Sequence, residues 1–323
     1  MLRRGRFAPT PSGQLHIGNA FSALCAWLQI RQAGGQFVLR IEDIDKSRSR
    51  PAFAEQQIND LQWLGLDWDE GPGADGPCAP YVQSSREQLY ERALERLRAD
   101  GRIYSCYCSR ADLASIASAP HGLSSEGTAY PGSCRHLTPD ERLTKEAGKS
   151  PSCRFVMQDE PIRFVDEIMG EQRFAKEELS DFIVKRADGM FSYQLAVTVD
   201  DAAMGITDVL RGADLVDSTP RQLALYEALG LKPPRFAHIP LLADAEGNRL
   251  SKRDKSLTLA SLRADGVSPE RLVGMIANLA GWQERLEPAP AEAFIPSFHT
   301  KQLKQPMISV TEEHMSWLLQ SDT

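Results

Sequence analysis

The stretch RFAPTPSGQLHIGN at residues 6–19 begins as a short strand and continues into a turn rich in proline and glycine. Residues 15–33 then carry apolar side chains at helical spacing, and the glycine pair at 34–35 ends that helix. The next segment, FVLRI at 37–41, has the composition of a buried strand. A strand–helix–strand unit of this kind predicts a parallel sheet with right-handed crossovers, which is the building block of an α/β fold.

The chain after this unit contains regular segments and one irregular region. Helices are predicted over 51–64, where Pro51 begins the first turn, and over 84–99. Residues 103–178 are rich in Cys, Pro, Gly and Ser, which predicts an insertion with small strands. The expected division is a first half of the α/β domain at 1–102, an insertion at 103–178, a second half of the α/β domain at 179–247, and a C-terminal region at 248–323.

The second half of the α/β domain is expected to begin with strands. Residues 181–199 have strand character throughout, and the Asp-Gly pair at 188–189 is a hairpin signal. A helix follows at 219–229, and two more are predicted within 258–281. The remaining tail is rich in proline and alanine and shows no clear pattern.

Composition limits the classes of function. The hydrophobic content of 42% and charged content of 25% are ordinary for a soluble protein. There is no apolar run of about 18 residues, and the basic start lacks the apolar stretch of a signal peptide, so we expect the cytoplasm and no membrane partner. The net charge of −7 argues against a generally polycationic nucleic-acid binder.

A local basic face remains compatible with that net charge, because phosphate contacts need only a few well-placed cations. The same side chains could instead be ordinary solvated surface charges. The candidates are Arg135, Arg142, Lys145, Lys149, Arg249, Lys252, Arg253 and Lys255.

The turn and helix start at residues 6–19 form the first candidate site. Backbone N–H groups and the positive end of the helix dipole meet there, which suits a phosphate. His16 can donate to a phosphate oxygen, and Gly18 lets a flat base approach the backbone. A local turn with a capping histidine would account for the same residues.

The second candidate site is NRLSKRDKS at 248–256. A basic loop of this kind can close over a triphosphate and stabilise the charge that develops as pyrophosphate leaves. Taken alone, it could equally be a solvated basic turn.

Four of the six cysteines, Cys106, Cys108, Cys134 and Cys153, lie within one stretch. Thiolates one residue apart, completed by a distant ligand, can bind a tetrahedral zinc ion. The CxC spacing is a weak indication by itself, and buried unligated cysteines remain the alternative.

The two nucleotide-type sites together resemble the signatures of class I aminoacyl-tRNA synthetases. HIGN at 16–19 matches the first signature and RLSKR at 249–253 the second. The sequence departs at Asn19, where histidine is frequent, and at Arg249, where lysine is usual, so the phosphate role falls on Lys252. Further segments are similar to the glutamyl branch of that class, namely RFAPTPSG at 6–13, LRIEDIDKSR at 39–48, SYQLAVTVDD at 192–201 and ITDVLRGADL at 206–215.

The resemblance implies a site for L-glutamate beside ATP and Mg²⁺. Arg6 and Arg211 would hold the two carboxylates, in an order left open, and Glu42 would face the ammonium group. The first loop and one hydroxyl would add further glutamate contacts, from Ala8, Thr10 and Tyr193. ATP would be bound by His16, Gly18, Asn19, Ser251 and Lys252, with His16 and Lys252 catalytic.

The cysteine cluster is similar to the zinc site of the short glutamyl-queuosine tRNA synthetases. That resemblance implies three cysteines and one tyrosine around one structural zinc ion. Alternatives to the tyrosine are His121, His136 and Cys153. The implied ligands are Cys106, Cys108, Tyr130 and Cys134.

About 70 residues follow Arg253, fewer than the anticodon-reading region of full glutamyl-tRNA synthetases would need. The expected fold is therefore a class I Rossmann-type parallel sheet with a zinc-containing insertion and a C-terminal helical region, without an anticodon-binding domain. The resemblance to the short synthetases implies ATP-dependent activation of glutamate and its transfer to queuosine in the anticodon loop of tRNA(Asp), and we expect a monomer. The alternatives are charging of the tRNA 3′ end, a small-molecule adenylylating ligase, and a non-catalytic zinc-dependent RNA-binding paralogue.

Overall fold

A computed structural model of the chain describes residues 2–109, 112, 130–244, 246–247, 257–305 and 307–320. Its strands, in chain order, are β1 Arg4–Phe7, β2 Gln36–Leu39, β3 Ile103–Cys106, β4 Ser152–Phe155, β5 Ile162–Asp166, β6 Gly170–Phe174, β7 Phe182–Lys185, β8 Asp208–Gly212, β9 Arg235–Ile239, β10 Leu241–Ala243 and β11 Met307–Ser309. Its helices are α1 Ile17–Gln32, α2 Pro51–Trp63, α3 Glu87–Ala99, α4 Pro139–Glu146, α5 Tyr193–Ala203, α6 Thr219–Ala228, α7 Leu259–Ala264, α8 Pro269–Leu279 and α9 Glu312–Leu319. Among these described helices, none is long and apolar enough to cross a membrane.

The predicted strand–helix–strand unit is present as β1, α1 and β2, and it belongs to a four-stranded sheet in the order β2-β1-β8-β9. All three pairings in this sheet are parallel, which confirms the α/β class. Helix α1 lies close against the sheet: a Cβ added at Gly5 of β1 would lie 2.4 Å from Cγ1 of Ile30. Glycine at this position therefore sets the distance between helix and strand.

The strand prediction for 181–199 is right for β7 and wrong after it. A tight turn follows β7, with Gly189 at φ +89°, and the chain then enters helix α5. Ser192 caps that helix through its hydroxyl, which accepts from the N–H of Leu195. The eight residues 194–201 are all buried, so the helix shows no polar face in the sequence, and its valines and threonine imitate a buried strand.

The other predicted helices are present with small shifts at their ends. Helix α2 begins at Pro51, and α6 ends just before Gly230, which has φ +60°. Helix α3 begins at Glu87, three residues after its predicted start, because a short 3-10 turn covers 83–85. The region 258–281 contains α7 and α8, as predicted.

The tail, which showed no sequence pattern, packs on β10 and on helix α1. Strand β11 pairs in parallel with β10, and the turn at 291–294 contacts α1. Phe294, Phe298 and Leu318 share one apolar cluster with the side chains of α1. The tail therefore completes the hydrophobic cover of the first crossover helix.

Along the chain, strands β3 to β7 come between β2 and β8 of the main sheet, and they form two small antiparallel units. One has the strand order β3-β4-β7, and the other is the β5–β6 hairpin. The hairpin docks directly on the main sheet, because the backbone N–H of Glu167 donates to the carbonyl of Phe236 in β9 at 2.9 Å. The insertion is thus joined to the sheet at the strand that leads towards the candidate site.

Gly274 in α8 lies close to the backbone of Glu287, and a substitution at Gly274 can test how tightly these two segments pack. An alanine Cβ there would lie 2.0 Å from the backbone oxygen of Glu287, so Gly274→Ala forces that segment to move. We expect the free energy of unfolding to fall by about 1–3 kcal/mol, despite the better helix propensity of alanine. The control is Gly148→Ala, where the nearest atom would be 3.8 Å away, and its effect should stay below about 1 kcal/mol. Urea unfolding of both variants checks this, and equal stabilities would contradict it.

Candidate active site and candidate metal centre

A cavity opens at the carboxyl ends of the parallel strands, where ligands of open α/β sheets bind. The ends of β1, β8 and β9 and the start of α1 line it, and its volume is about 260 Å³. The structure brings nine of the sequence-predicted residues together in this cavity. They are Arg6, Ala8, Thr10, His16, Gly18, Asn19, Glu42, Tyr193 and Arg211.

Two cavity residues, Arg6 and Glu42, are held by a buried ion-pair network. The Nε of Arg6 lies 3.3 Å from a carboxylate oxygen of Asp201. Arg40, which is fully buried, donates to Asp201 at 2.8 Å and to Glu42 at 2.9 Å. Because Arg40 and Asp201 connect the two cavity residues, the acid and the cation are fixed relative to each other.

A second layer of polar contacts supports this network. The buried carboxylate of Asp200 accepts from Arg86 at 2.6 Å, from the Tyr90 hydroxyl at 2.7 Å and from Gln83 at 2.9 Å. Its oxygen also lies 3.8 Å from Nε of Arg40. The supporting carboxylates on α5 thus extend from the cavity wall to α3.

Sequence reasoning did not single out this supporting layer. Arg40 lies within the segment LRIEDIDKSR, and Asp200 and Asp201 end the segment SYQLAVTVDD, both of which the resemblance had marked. Treating every charged residue of an apolar segment as a candidate ion-pair partner would have found them.

The pKa values of Glu42, which lines the cavity, and of Asp201, which lies behind it, are shifted in opposite directions. Burial raises the pKa of Glu42 above its ordinary value, although Arg40 opposes that shift. Burial acts in the same sense on Asp201, but Arg6 and Arg40 together hold its pKa below its ordinary value. Glu42 is therefore the acid that a bound cation would stabilise in its charged form.

Arg211 is the cation without a carboxylate partner. Its guanidinium donates to Nε2 of His238 at 3.0 Å, to Oγ1 of Thr219 at 2.9 Å, to the carbonyl of Leu215 at 3.3 Å and to the Tyr193 hydroxyl at 3.5 Å. No acidic side chain of the described chain lies within ion-pair distance of it. Burial lowers the pKa of Arg211, and the nearby charge of Arg6 adds to this effect. A buried cation with only neutral partners favours an anionic ligand.

The start of α1 forms the other end of the cavity. Oδ1 of Asn19 accepts from the backbone N–H of His16 at 3.1 Å, which fixes the first turn. A Cβ at Gly18 would lie 2.9 Å from the His16 ring, so glycine leaves room for that imidazole. This is a second reason for glycine there, besides the access for a flat base that the sequence suggested.

The second nucleotide-type site, with Ser251 and Lys252, lies outside the described residues. The residues that follow it are placed beside the first site. Thr258 forms an antiparallel bridge with His16, and the N–H of Leu259 donates to the carbonyl of Leu15 at 2.9 Å. The chain that leaves the basic segment therefore returns directly to the start of α1.

The cysteine cluster is a separate centre in the insertion. The sulfurs of Cys106, Cys108 and Cys134 lie within 4.8 Å of one another, and those of Cys108 and Cys134 are 3.6 Å apart. The Tyr130 hydroxyl is 3.5 Å from Sγ of Cys106 and 3.9 Å from Sγ of Cys108. Metal–sulfur bonds of about 2.3 Å in a tetrahedron place sulfurs roughly 3.8 Å apart, so these four residues have suitable spacing for one ion.

The surroundings of the cluster favour a bound cation. Burial, reinforced by the neighbouring thiols, raises the pKa of Cys108 to about 11, whereas hydrogen bonds from its neighbours lower the pKa of Cys134 despite burial. A bound cation would stabilise the thiolate form of both residues. Nε of Arg154 donates to Sγ of Cys106 at 3.2 Å, and the N–H of Tyr107 donates to Sγ of Cys134 at 3.5 Å. Such bonds to ligand sulfurs are typical of the shell around a metal.

The alternative fourth ligands have different positions. Cys153 packs against an apolar cluster that the insertion shares with α3, α5 and α6, and His136 is exposed. Neither belongs to a metal-type cluster in the part of the chain that the structure describes. His121 lies outside the described residues.

Comparison with known proteins agrees with the α/β fold and identifies the family of the chain. The family described as tRNA synthetases class I (E and Q), catalytic domain, matches residues 3–317. This chain therefore belongs to the glutamate and glutamine branch of the class I tRNA synthetases. It is an ATP-dependent ligase with activity of the glutamate–tRNA ligase kind, and enzymes of this class use ATP with Mg²⁺.

Two similar relatives carry a more specific name. The chain is 59% identical over 315 residues to a glutamyl-Q tRNA(Asp) synthetase of Symbiobacterium thermophilum, covering 97% of this chain and 98% of the relative. It is 52% identical over 280 residues to one of Nitratidesulfovibrio vulgaris, covering 86% of each chain. Among solved structures, glutamate-tRNA synthetase from Elizabethkingia anophelis matches with a TM-score of 0.85 at 30% identity, over 98% of this chain and 70% of that chain. The predicted resemblance to the short synthetases is confirmed.

The cysteine cluster predicts a stoichiometric metal ion. We expect purified protein to contain one divalent ion per chain, and Cys134→Ser to lose it, because the buried Cys134 sulfur would supply one of four ligands. The control is Cys153→Ser, which should retain the ion because Cys153 packs outside the cluster. Inductively coupled plasma mass spectrometry of dialysed samples measures this. Equal metal content in the two variants would show that the cluster does not bind the ion.

Proposed function

We propose that this protein activates L-glutamate with ATP and transfers the glutamyl group to queuosine in the anticodon loop of tRNA(Asp). One observation carries the proposal: Arg6, Arg211 and Glu42 line a single cavity beside the helix start at His16. Glutamate has two carboxylates and one ammonium group, so it matches two cations and one acid. The names of two similar full-length relatives support queuosine as the acceptor.

In the proposed glutamate site, Arg211 and Arg6 hold the carboxylates. Glu42 pairs with the ammonium group, which favours the charged form of this buried acid. The Tyr193 hydroxyl, next to Arg211, gives one further hydrogen bond. Ala8 and Thr10 close the cavity on the side of the first loop.

In the proposed first step, a carboxylate oxygen of glutamate attacks the α-phosphorus of ATP, and pyrophosphate leaves. His16, Gly18 and Asn19 bind ATP at the start of α1, together with Ser251 and Lys252. His16 and Lys252 stabilise the negative charge of the transition state. In the second step, a hydroxyl of the queuosine cyclopentenediol attacks the activated carbonyl, and AMP leaves.

We further propose that the ion in the insertion is zinc. Cys106, Cys108, Cys134 and Tyr130 would hold it as three sulfur ligands and one oxygen, and closed four-coordinate sites of this kind are structural. Its role is to fix the chain between β3 and α4, which has few regular elements of its own among the described residues. The guanidinium of Arg154 helps to hold Tyr130 in this position, because its Cζ lies 3.7 Å from the centre of the Tyr130 ring.

The activation step predicts glutamate-dependent ATP–pyrophosphate exchange in the absence of RNA. Lys252→Ala should lower the exchange rate by about a hundredfold or more, because a cation opposite the leaving pyrophosphate is lost. Lys255→Ala, three residues away in the same basic segment, is the matched control and should stay near the wild-type rate. A near-normal rate in Lys252→Ala would remove that residue from the mechanism.

The transfer step predicts where the ester forms. Radiolabelled glutamate should appear on the anticodon-loop fragment after nuclease digestion of tRNA(Asp) that carries queuosine. Label should be absent from tRNA(Asp) with guanosine at that position, because the acceptor hydroxyl is missing. Removal of the terminal adenosine should leave the yield unchanged. Label at the 3′ end would instead identify an enzyme that charges the terminal adenosine.

A further inference from the structure

Three buried side chains from separate parts of the chain form a line behind the cavity. Asp166 ends β5 of the insertion hairpin, His238 lies in β9, and Arg211 lies in β8. Oδ2 of Asp166 is 2.6 Å from Nδ1 of His238, and Nε2 of His238 is 3.0 Å from Nε of Arg211. All three residues are less than 5% exposed. Neither Asp166 nor His238 lines the cavity.

The direction of these hydrogen bonds follows from chemistry. The Nε of arginine always carries a hydrogen and can only donate, so Nε2 of His238 must accept. The single proton of the neutral imidazole therefore sits on Nδ1 and is donated to Asp166. Burial lowers the pKa of His238, and the charge of Arg211 acts in the same sense, which keeps the ring neutral.

The carboxylate of Asp166 can only accept from the imidazole, and it is held in place by backbone donors. Its Oδ1 accepts from the backbone N–H groups of Ile168, Met169 and His238, at 3.0, 2.9 and 3.2 Å. Three donors thus fix Oδ1, and Oδ2 is left to face the imidazole. The insertion hairpin thereby sets which nitrogen of His238 is protonated.

We propose that Asp166 and His238 are positioning residues that orient the Arg211 guanidinium for the carboxylate of the amino-acid substrate. A carboxylate placed directly on Arg211 would neutralise it and compete with the substrate. A neutral imidazole in between fixes the direction of the guanidinium and leaves its charge for the ligand. This inference rests on the proposed function, because it takes glutamate as the ligand of Arg211.

Asp166→Asn is the most specific test. The three backbone donors require the amide oxygen at the Oδ1 position, so the amide nitrogen must face the imidazole and donate to Nδ1. The ring proton then moves to Nε2, where it opposes the N–H of Arg211. We expect the KM for glutamate in ATP–pyrophosphate exchange to rise roughly tenfold or more, because a hydrogen bond to a charged group is lost. The KM for ATP should stay within about twofold.

Nitrogen-15 NMR of histidine-labelled protein reads the tautomer without any substrate. The wild-type spectrum should show the Nδ1–H form for the resonance that disappears in His238→Gln, and Asp166→Asn should show the Nε2–H form. An Nε2–H tautomer in the wild-type protein would overturn the inference.

Control variants separate positioning from folding. Asp181→Asn changes another buried aspartate, which accepts from the Tyr104 hydroxyl and the N–H of Met157 and does not line the cavity, and it should leave the KM for glutamate unchanged. His238→Gln retains an acceptor for Arg211, whereas His238→Asn retains only the contact to Asp166. The asparagine variant should therefore be the more severe, and this comparison decides the matter if Asp166→Asn does not fold.

The outcomes distinguish the two levels of the proposal. A wild-type protein without glutamate-dependent exchange would contradict the proposed function. A wild-type protein with exchange, together with an unchanged KM for glutamate in Asp166→Asn and equal effects of the two His238 substitutions, would contradict the positioning role.

Discussion

The compensation of buried charge is the constraint on which the rest of this structure depends. Arg40 has no solvent exposure and must meet carboxylates inside the protein, because an unpaired ion in the interior costs several kcal/mol. Asp201 and Glu42 supply them, and Asp201 also binds Arg6. The cavity acid and one cavity cation are therefore positioned by a network that cannot rearrange without exposing a bare charge. Arg211 is the exception, since its partners are neutral, and that difference gives the cavity its preference for an anion.

The parallel sheet makes this arrangement possible because it collects residues that are distant in sequence. Strands β1 and β8 are neighbours, although about 200 residues separate them, and their carboxyl ends deliver Arg6 and Arg211 to one opening. The insertion adds a side chain on the far side of Arg211 from the cavity. Its β5–β6 hairpin docks on β9 and places Asp166 against His238. The insertion, which also contains the cysteine cluster, thus contacts through its hairpin a strand whose end lines the cavity.

The sequence allowed the first crossover unit and the main helices to be predicted, because their apolar periodicity and their glycine and proline stops are local signals. The resemblance of short motifs predicted that the nine cavity residues belong to one site, and the structure places them together. The error at α5 arose because a helix buried on all sides has no polar face. Asp166 and His238 were missed because their pairing joins positions 72 residues apart and leaves no local pattern. The tail was unclear for a related reason: its aromatic side chains are explained only by the surface of α1 that they cover.

The parallel pairing of β10 with β11 gives the carboxyl-terminal tail an unexpected importance for protein engineering. Strand β10 leads into the basic segment, and β11 is its partner from the tail. A shortened chain that stops at 286 would lack β11 and leave one edge of β10 unpaired. It would also lack Phe294 and Phe298 and so expose the apolar surface of α1 that they cover. The tail is therefore a poor site for trimming in crystallisation work, and losses of nucleotide binding in such truncations would reflect a missing structural support.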